Sequence, residues 1–168
     1  MSDPDKDKVY AAETLAFLGT PLADRQQESS IVADYRTMLD APWWAWGAVE
    51  IRQARADMVR AGGYADLFAI STSAGRVERY TVSHELAHIV VKRQGRCDRH
   101  GAAFRTAHLY TVGAAYGRQY SDLLAQAFED YNLPVLNAPG ELGIPQMPTI
   151  NIDAMSIAAA PRGGWSRK

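Results

Sequence analysis

The segment His84-Glu85-Leu86-Ala87-His88 constrains this chain more than any other, because the run before it, Arg76 to Ser83, holds no Gly or Pro to interrupt a helix. On an α-helix, residues four apart lie one above the other, so both imidazoles can reach one ion, with Glu85 about 100° round the cylinder beside them. Val82, Leu86, Ile89 and Val90 fall at helical spacing and predict one buried side, leaving His84 and His88 on a face shared with Val77, Thr81 and Val91. Zinc accepts neutral imidazole nitrogens and keeps a position for water when a protein supplies three ligands. Water there ionises near neutral pH, and a neighbouring carboxylate can take its proton. The pattern points to a metal site with Glu85 as general base; the alternative is a structural helix with two incidental histidines.

Two histidines do not complete such a site, and all four histidines of the chain lie between His84 and His108. The spacing that puts Gly and His one and two turns further along the same helix is absent, since Val91 and Gln94 stand there. A Glu about twenty residues on is absent too, where the chain has Ala107. His100 is the better third ligand. It follows the helix stop at Gly95 and opens a new helix, Gly101 allows close approach of backbone, and Phe104 can pack beneath the site. His108, two helical turns after His100, is a candidate to polarise a substrate carbonyl, with Tyr110 and Tyr116 competing for that role. Asp98 and Glu129 are candidate acceptors for a ligand's other ring nitrogen.

Elsewhere the pattern is that of one α+β domain over residues 1–132. A helix is expected from Asp5 to Leu18, capped by Ser2 or Asp3, with Val9, Ala12, Leu15 and Ala16 inward and Gly19 past its end. A second helix is expected from Ser30 to Leu39, burying Ile31, Tyr35, Met38 and Leu39. Trp43, Trp44 and Trp46 read as packing mass. Ala48–Arg52 and Tyr64–Thr72 read as strands, and a strand beside a metal cleft can pair with an extended peptide. After the metal helix, ending near Arg93 or Gln94, come a helix carrying Phe104, Ala107, His108, Val112 and Ala115, and another from Ser121 to Tyr131 with Leu123, Leu124, Ala127 and Phe128 inward. Residues 133–168, with repeated prolines, read as an irregular tail with short extended pieces such as Thr149–Asp153.

Composition removes several function classes. No apolar run approaches the length of a membrane span, and the polar opening does not resemble a signal peptide, so a cytoplasmic location is expected. Cys97 is the only cysteine, which excludes an intramolecular disulfide and a structural zinc ribbon. Charge is unevenly placed: from Arg76 to Arg118 there are eight Lys or Arg against three acids, while the rest of the chain holds ten against sixteen. Beside a cleft such a stretch favours an acidic substrate or a phosphate backbone; as a helix end and loop it is a solvated surface.

His84 to His88 followed by a loop and then His100-Gly101-Ala102-Ala103-Phe104 resembles the SprT-like and related zincin metallopeptidases. With Val9-Tyr10-Ala11-Ala12-Glu13 near the start and a strand before the metal helix, the chain more closely resembles a group of small HExxH metallohydrolases from actinobacteria and their phages, over roughly residues 8 to 135. The resemblance implies a small zincin-like domain, its helical layer packed on a short sheet, with one catalytic Zn2+ held by His84, His88 and His100 and with Glu85 as base. The expected activity is peptide-bond hydrolysis in a peptide or protein substrate. The alternatives are a zinc-stabilised interaction module without catalysis, and a protease recruited to nucleic acid through the basic stretch.

Overall fold

The computed structural model describes residues 3–53, 63–65, 68–72, 75–96, 99–137 and 139–144. In chain order these form helix α1 (Lys6–Phe17), a 3-10 turn (Pro21–Ala23), strand β1 (Arg25–Gln26), helix α2 (Glu28–Leu39), strands β2 (Glu50–Arg52), β3 (Gly63–Ala65), β4 (Ala69–Thr72) and β5 (Val77–Glu78), helices α3 (Thr81–Arg93), α4 (Ala102–Tyr116) and α5 (Arg118–Asp130), and a second 3-10 turn (Pro139–Leu142). The fold is α+β. β1 and β5 pair antiparallel, and β2, β4 and β3 make a three-stranded sheet in that order, β2 parallel and β3 antiparallel to the central β4.

The metal-motif helix α3 lies between two apolar clusters. Ala87, Val90 and Val91 face one, with α1, α4 and α5; Val82, Leu86 and Ile89 face the other, with α2, Ile70 of β4 and Val77 of β5. The expectation of a single buried side is therefore corrected: every residue from Val82 to Val91 except His88 is buried. Nor does α3 use the whole run before it. Val77–Glu78 pairs with β1, and the amides of Arg79 and Tyr80 donate to the carbonyls of Asp24 and Leu22, so the helix begins only at Thr81. Its end is as the sequence indicates, with Gly95 at φ 70°, a left-handed residue that glycine adopts without a Cβ penalty.

Other boundaries move for identifiable reasons. Tyr64–Thr72 is two strands, because its halves pair with each other from Ala65↔Ile70 to Gly63↔Thr72, with Phe68 exposed at the reversal. On α1 the inward set is Val9, Ala12, Glu13, Ala16 and Phe17, one stripe at helical spacing; Leu15 lies off it and is 48% exposed. Asp5, not Ser2 or Asp3, takes the N-cap position of α1 and makes no side-chain cap there, because its carboxylate binds Arg105. On α5 the buried set is Ser121, Leu124, Ala127 and Phe128, while Leu123 is 45% exposed. α2 starts at Glu28, α5 at Arg118, and β2 is confined to Glu50–Arg52.

Beyond α5 the proline-rich segment first folds back on the core. Leu133 and Leu142 are buried in the cluster of α1, α4 and α5, Arg105 Nε donates to the Pro134 carbonyl at 2.8 Å, and the Leu136 amide donates to Thr106 Oγ1 at 2.8 Å. Thr149–Asp153 lies outside the described residues. Among the described residues no helix is long and apolar enough to cross a membrane.

Adjacent leucines on α5 check this packing. Leu124→Ala is expected to lower unfolding free energy by about 2–5 kcal/mol, and Leu123→Ala to change it by less than about 0.5 kcal/mol, as measured by denaturant titration.

Candidate metal centre

α3 presents His84 and His88 one turn apart, and the loop after it returns His100 to the same place. Arg99, immediately before His100, has φ 44°, a left-handed conformation that L-residues occupy at a cost. The turn is fastened by Arg105, a buried guanidinium whose Nη1 donates to the His100 carbonyl at 2.7 Å and to Asp5 Oδ2 at 2.8 Å. The result is a trio, His84, His88 and His100, whose donor atoms all lie within 4.8 Å of one another, an arrangement able to hold a metal ion. Phe104 floors it, its ring centroid 4.3 to 4.9 Å from those of all three imidazoles.

Two carboxylates set which ring atoms face inward. His84 Nδ1 donates to Glu13 Oε1 at 2.5 Å and His100 Nδ1 to Asp3 Oδ2 at 2.6 Å, so each ring's other nitrogen, Nε2, is turned to the centre. Those two Nε2 atoms stand 3.3 Å apart. Two lone pairs at that distance repel unless something positive lies between them, either a proton on one ring or a cation shared by both. Tetrahedral ligands bound at about 2.05 Å are separated by about 3.3 Å, so the donor set fits a zinc-sized ion.

The electrostatics follow from burial. Burial opposes protonation of His84, but Glu13, as charge and as hydrogen-bond acceptor, with Glu85 adding to it, raises its pKa above the ordinary imidazole value. His88 is pushed far down by burial and then by its histidine neighbours, and remains a neutral donor. Burial also lowers His100, against the opposing pull of Asp3. Glu85 is buried beside the trio, close enough for its charge to raise the phenols of Tyr10 and Tyr35 after burial has done so.

The remaining candidates are placed elsewhere. His108 is fully buried behind His84, ring centroids 5.5 Å apart, so it presents no atom to a substrate. Tyr110 packs on Trp43 and Trp46, its hydroxyl 3.4 Å from the Trp43 carbonyl; the tryptophans thus serve as core. Tyr116 donates to the Arg79 carbonyl at 3.1 Å. Glu129 is exposed on α5, and Cys97 and Asp98 lie outside the described residues.

The carboxylates that bind the histidines are Glu13 and Asp3, where the sequence suggests Asp98 and Glu129. Glu13 carried a signal: a charged residue in the middle of an apolar stripe needs a buried partner. Tyr10, which no local pattern marks as a site residue, packs on His84 and His100 at 5.5 and 5.4 Å; it is 41% exposed, and burial, with Glu85 next, pushes its phenol up to about 12.

Comparison with protein-family profiles, with curated proteins and with solved structures finds no match. Much of the basic stretch is occupied internally: Arg79 forks onto Asp34, Arg76 donates to the Arg25 carbonyl, Arg93 to that of Ala48, and Arg105 to Asp5 and His100.

A pH dependence follows. A metal needs His84 neutral, and its raised pKa lets protons compete from a higher pH than at an ordinary histidine. Affinity is full above that pKa and falls about tenfold per pH unit below it, one proton being displaced. In Glu13→Gln the fall begins at lower pH, because the charge that held the proton is gone, while the plateau affinity is weaker. Zinc titration across pH measures both.

Proposed function

We propose that the protein is a zinc-dependent metallopeptidase of the zincin type. The observation that carries this is the pair of Nε2 atoms facing each other at 3.3 Å, each ring held by a carboxylate at Nδ1, with His88 completing the trio and Glu85 beside it. Three neutral nitrogens suit zinc better than a hard cation such as magnesium or calcium, which prefers oxygen. Zinc supplies Lewis acidity and brings the pKa of water near neutrality.

The chain supplies the rest. Glu85 accepts the proton of the water that adds to the scissile carbonyl and returns it to the amine nitrogen as the C–N bond breaks. Tyr10, a protonated phenol against two of the ligand rings and partly open to solvent, donates a hydrogen bond to the developing oxyanion, a role that neither His108, Tyr110 nor Tyr116 is placed to fill. Among the described residues β3 lies at the edge of its sheet next to α3, and main-chain pairing along such an edge binds an extended peptide. The resemblance of the His84–His88 and His100–Phe104 motifs to SprT-like zincins agrees with a peptide substrate. Arg76, Arg79, Arg93 and Arg105 of the basic stretch bind carbonyls or carboxylates of the chain itself, which favours the peptide reading over the nucleic-acid alternative.

Glu85→Gln is expected to keep stoichiometric zinc and lose cleavage of a peptide library, as read by product mass spectrometry. His100→Ala should lose zinc; undiminished binding there removes it from the ligand set. Tyr10→Phe should keep zinc and lower kcat about a hundredfold.

A further inference from the structure

Three helices meet behind the metal centre at a histidine that cannot reach a substrate. His108 Nδ1, on α4, lies 3.3 Å from Glu13 Oε1, the same oxygen that receives His84 Nδ1 at 2.5 Å. Its Nε2 lies 3.4 Å from Ser83 Oγ. Ser83, His84, Glu13 and His108 are all buried, and among the described residues His108 Nδ1 is the buried side-chain nitrogen or oxygen that lacks a hydrogen bond of ordinary geometry. A buried ring nitrogen 3.3 Å from a carboxylate oxygen is costly if both carry lone pairs, and that cost is removed when the ring carries its proton on that nitrogen.

We propose that His108 is a positioning residue for the metal centre, donating its Nδ1–H to Glu13 Oε1 and so fixing the carboxylate that orients His84. Held from both sides, Glu13 keeps the His84 proton on Nδ1 and the Nε2 lone pair towards His88 and His100. Ser83 sets the tautomer of His108 by turning its hydroxyl to donate to Nε2. The Tyr80 carbonyl, 2.8 Å from that hydroxyl, loses nothing essential, because it also receives the His84 amide at 3.2 Å. The bonds thus run from α3 at Ser83 through α4 and α1 back to α3 at His84. Thr111, one turn beyond His108, donates to the Ser83 carbonyl at 3.0 Å and holds α4 in register for the contact. Glu13 is at once unreachable by solvent and indispensable to a ligand, and His108 is the group that confines it.

The inference rests on the reading that the three histidines hold a metal, and the test separates the two. The full chain is titrated with Co2+, following visible absorption and competition with a chelator. Wild type should bind one Co2+. His108→Phe, which keeps the ring and removes both nitrogens, should retain the wild-type far-ultraviolet circular dichroism but bind Co2+ at least about tenfold more weakly, with an altered absorption band. His108→Asn, whose amide N–H falls near Nδ1, should restore band and affinity. Glu13→Gln should lose as much as His108→Phe, and the double variant should be no worse than Glu13→Gln alone, since both act through one bond. Wild-type affinity and band in His108→Phe overturn the proposal, as do losses that add in the double variant. If His108→Phe does not fold, Ser83→Ala serves: weaker Co2+ binding with a shifted band supports the proposal, and unchanged binding overturns it. A wild-type chain that binds neither Co2+ nor Zn2+ overturns the metal reading, and with it this one.

Discussion

Two imidazole nitrogens turned towards each other at 3.3 Å are the constraint on which the structure depends. Neither ring would hold that posture alone, since rotation would separate the lone pairs. Glu13 and Asp3 prevent it, each taking one ring by its Nδ1. Much of the architecture places those two carboxylates: α1 packs along α5 so that Glu13 lies against α3, and the Asp5–Arg105–His100 bonds bring Asp3 to the loop.

The same demand explains why α3 is buried on both sides. A helix with one wet face would leave His84 and its carboxylate partner in contact with water, where Glu13 would be solvated and its hold on the ring weak. Enclosure between two apolar clusters excludes that water, and Phe104 closes the floor. The burial cost of an ionised carboxylate is offset only if it is fully hydrogen-bonded, which is why the polar groups around Glu13 are concentrated at one spot rather than scattered.

What the sequence disclosed divides by range. The trio of histidines was legible, because helical periodicity ties His84 to His88 and the Gly95 stop leaves His100 as the residue able to return. So were the extents of α1, α2 and α5 to within a few residues. The carboxylates were not: Asp98 and Glu129 are closer in sequence to the ligands, whereas Glu13 and Asp3 arrive through tertiary packing, although Glu13 interrupting an apolar stripe was a readable clue. The start of α3 and the splitting of Tyr64–Thr72 failed for a related reason. In each, nothing local forbids the simpler element, and backbone pairing, with a segment some fifty residues upstream or within the stretch itself, takes precedence. Tyr110 competes with His108 for one role on the sequence alone, and the tryptophans that claim it come from another part of the chain.

Separation along the chain also orders assembly. His84 and His100 are 16 residues apart, whereas His84 is 71 from Glu13 and His100 is 97 from Asp3. Closing the longest of these loops costs about 1.5 kcal/mol more chain entropy than closing the shortest. The α3–α4 hairpin is thus the segment that can gather the imidazoles first, with contacts that are local and quick to form. Docking of α1 closes the longer loops, and with it the carboxylates that fix the rings, so the geometry of the cluster depends on the contacts most distant in the chain.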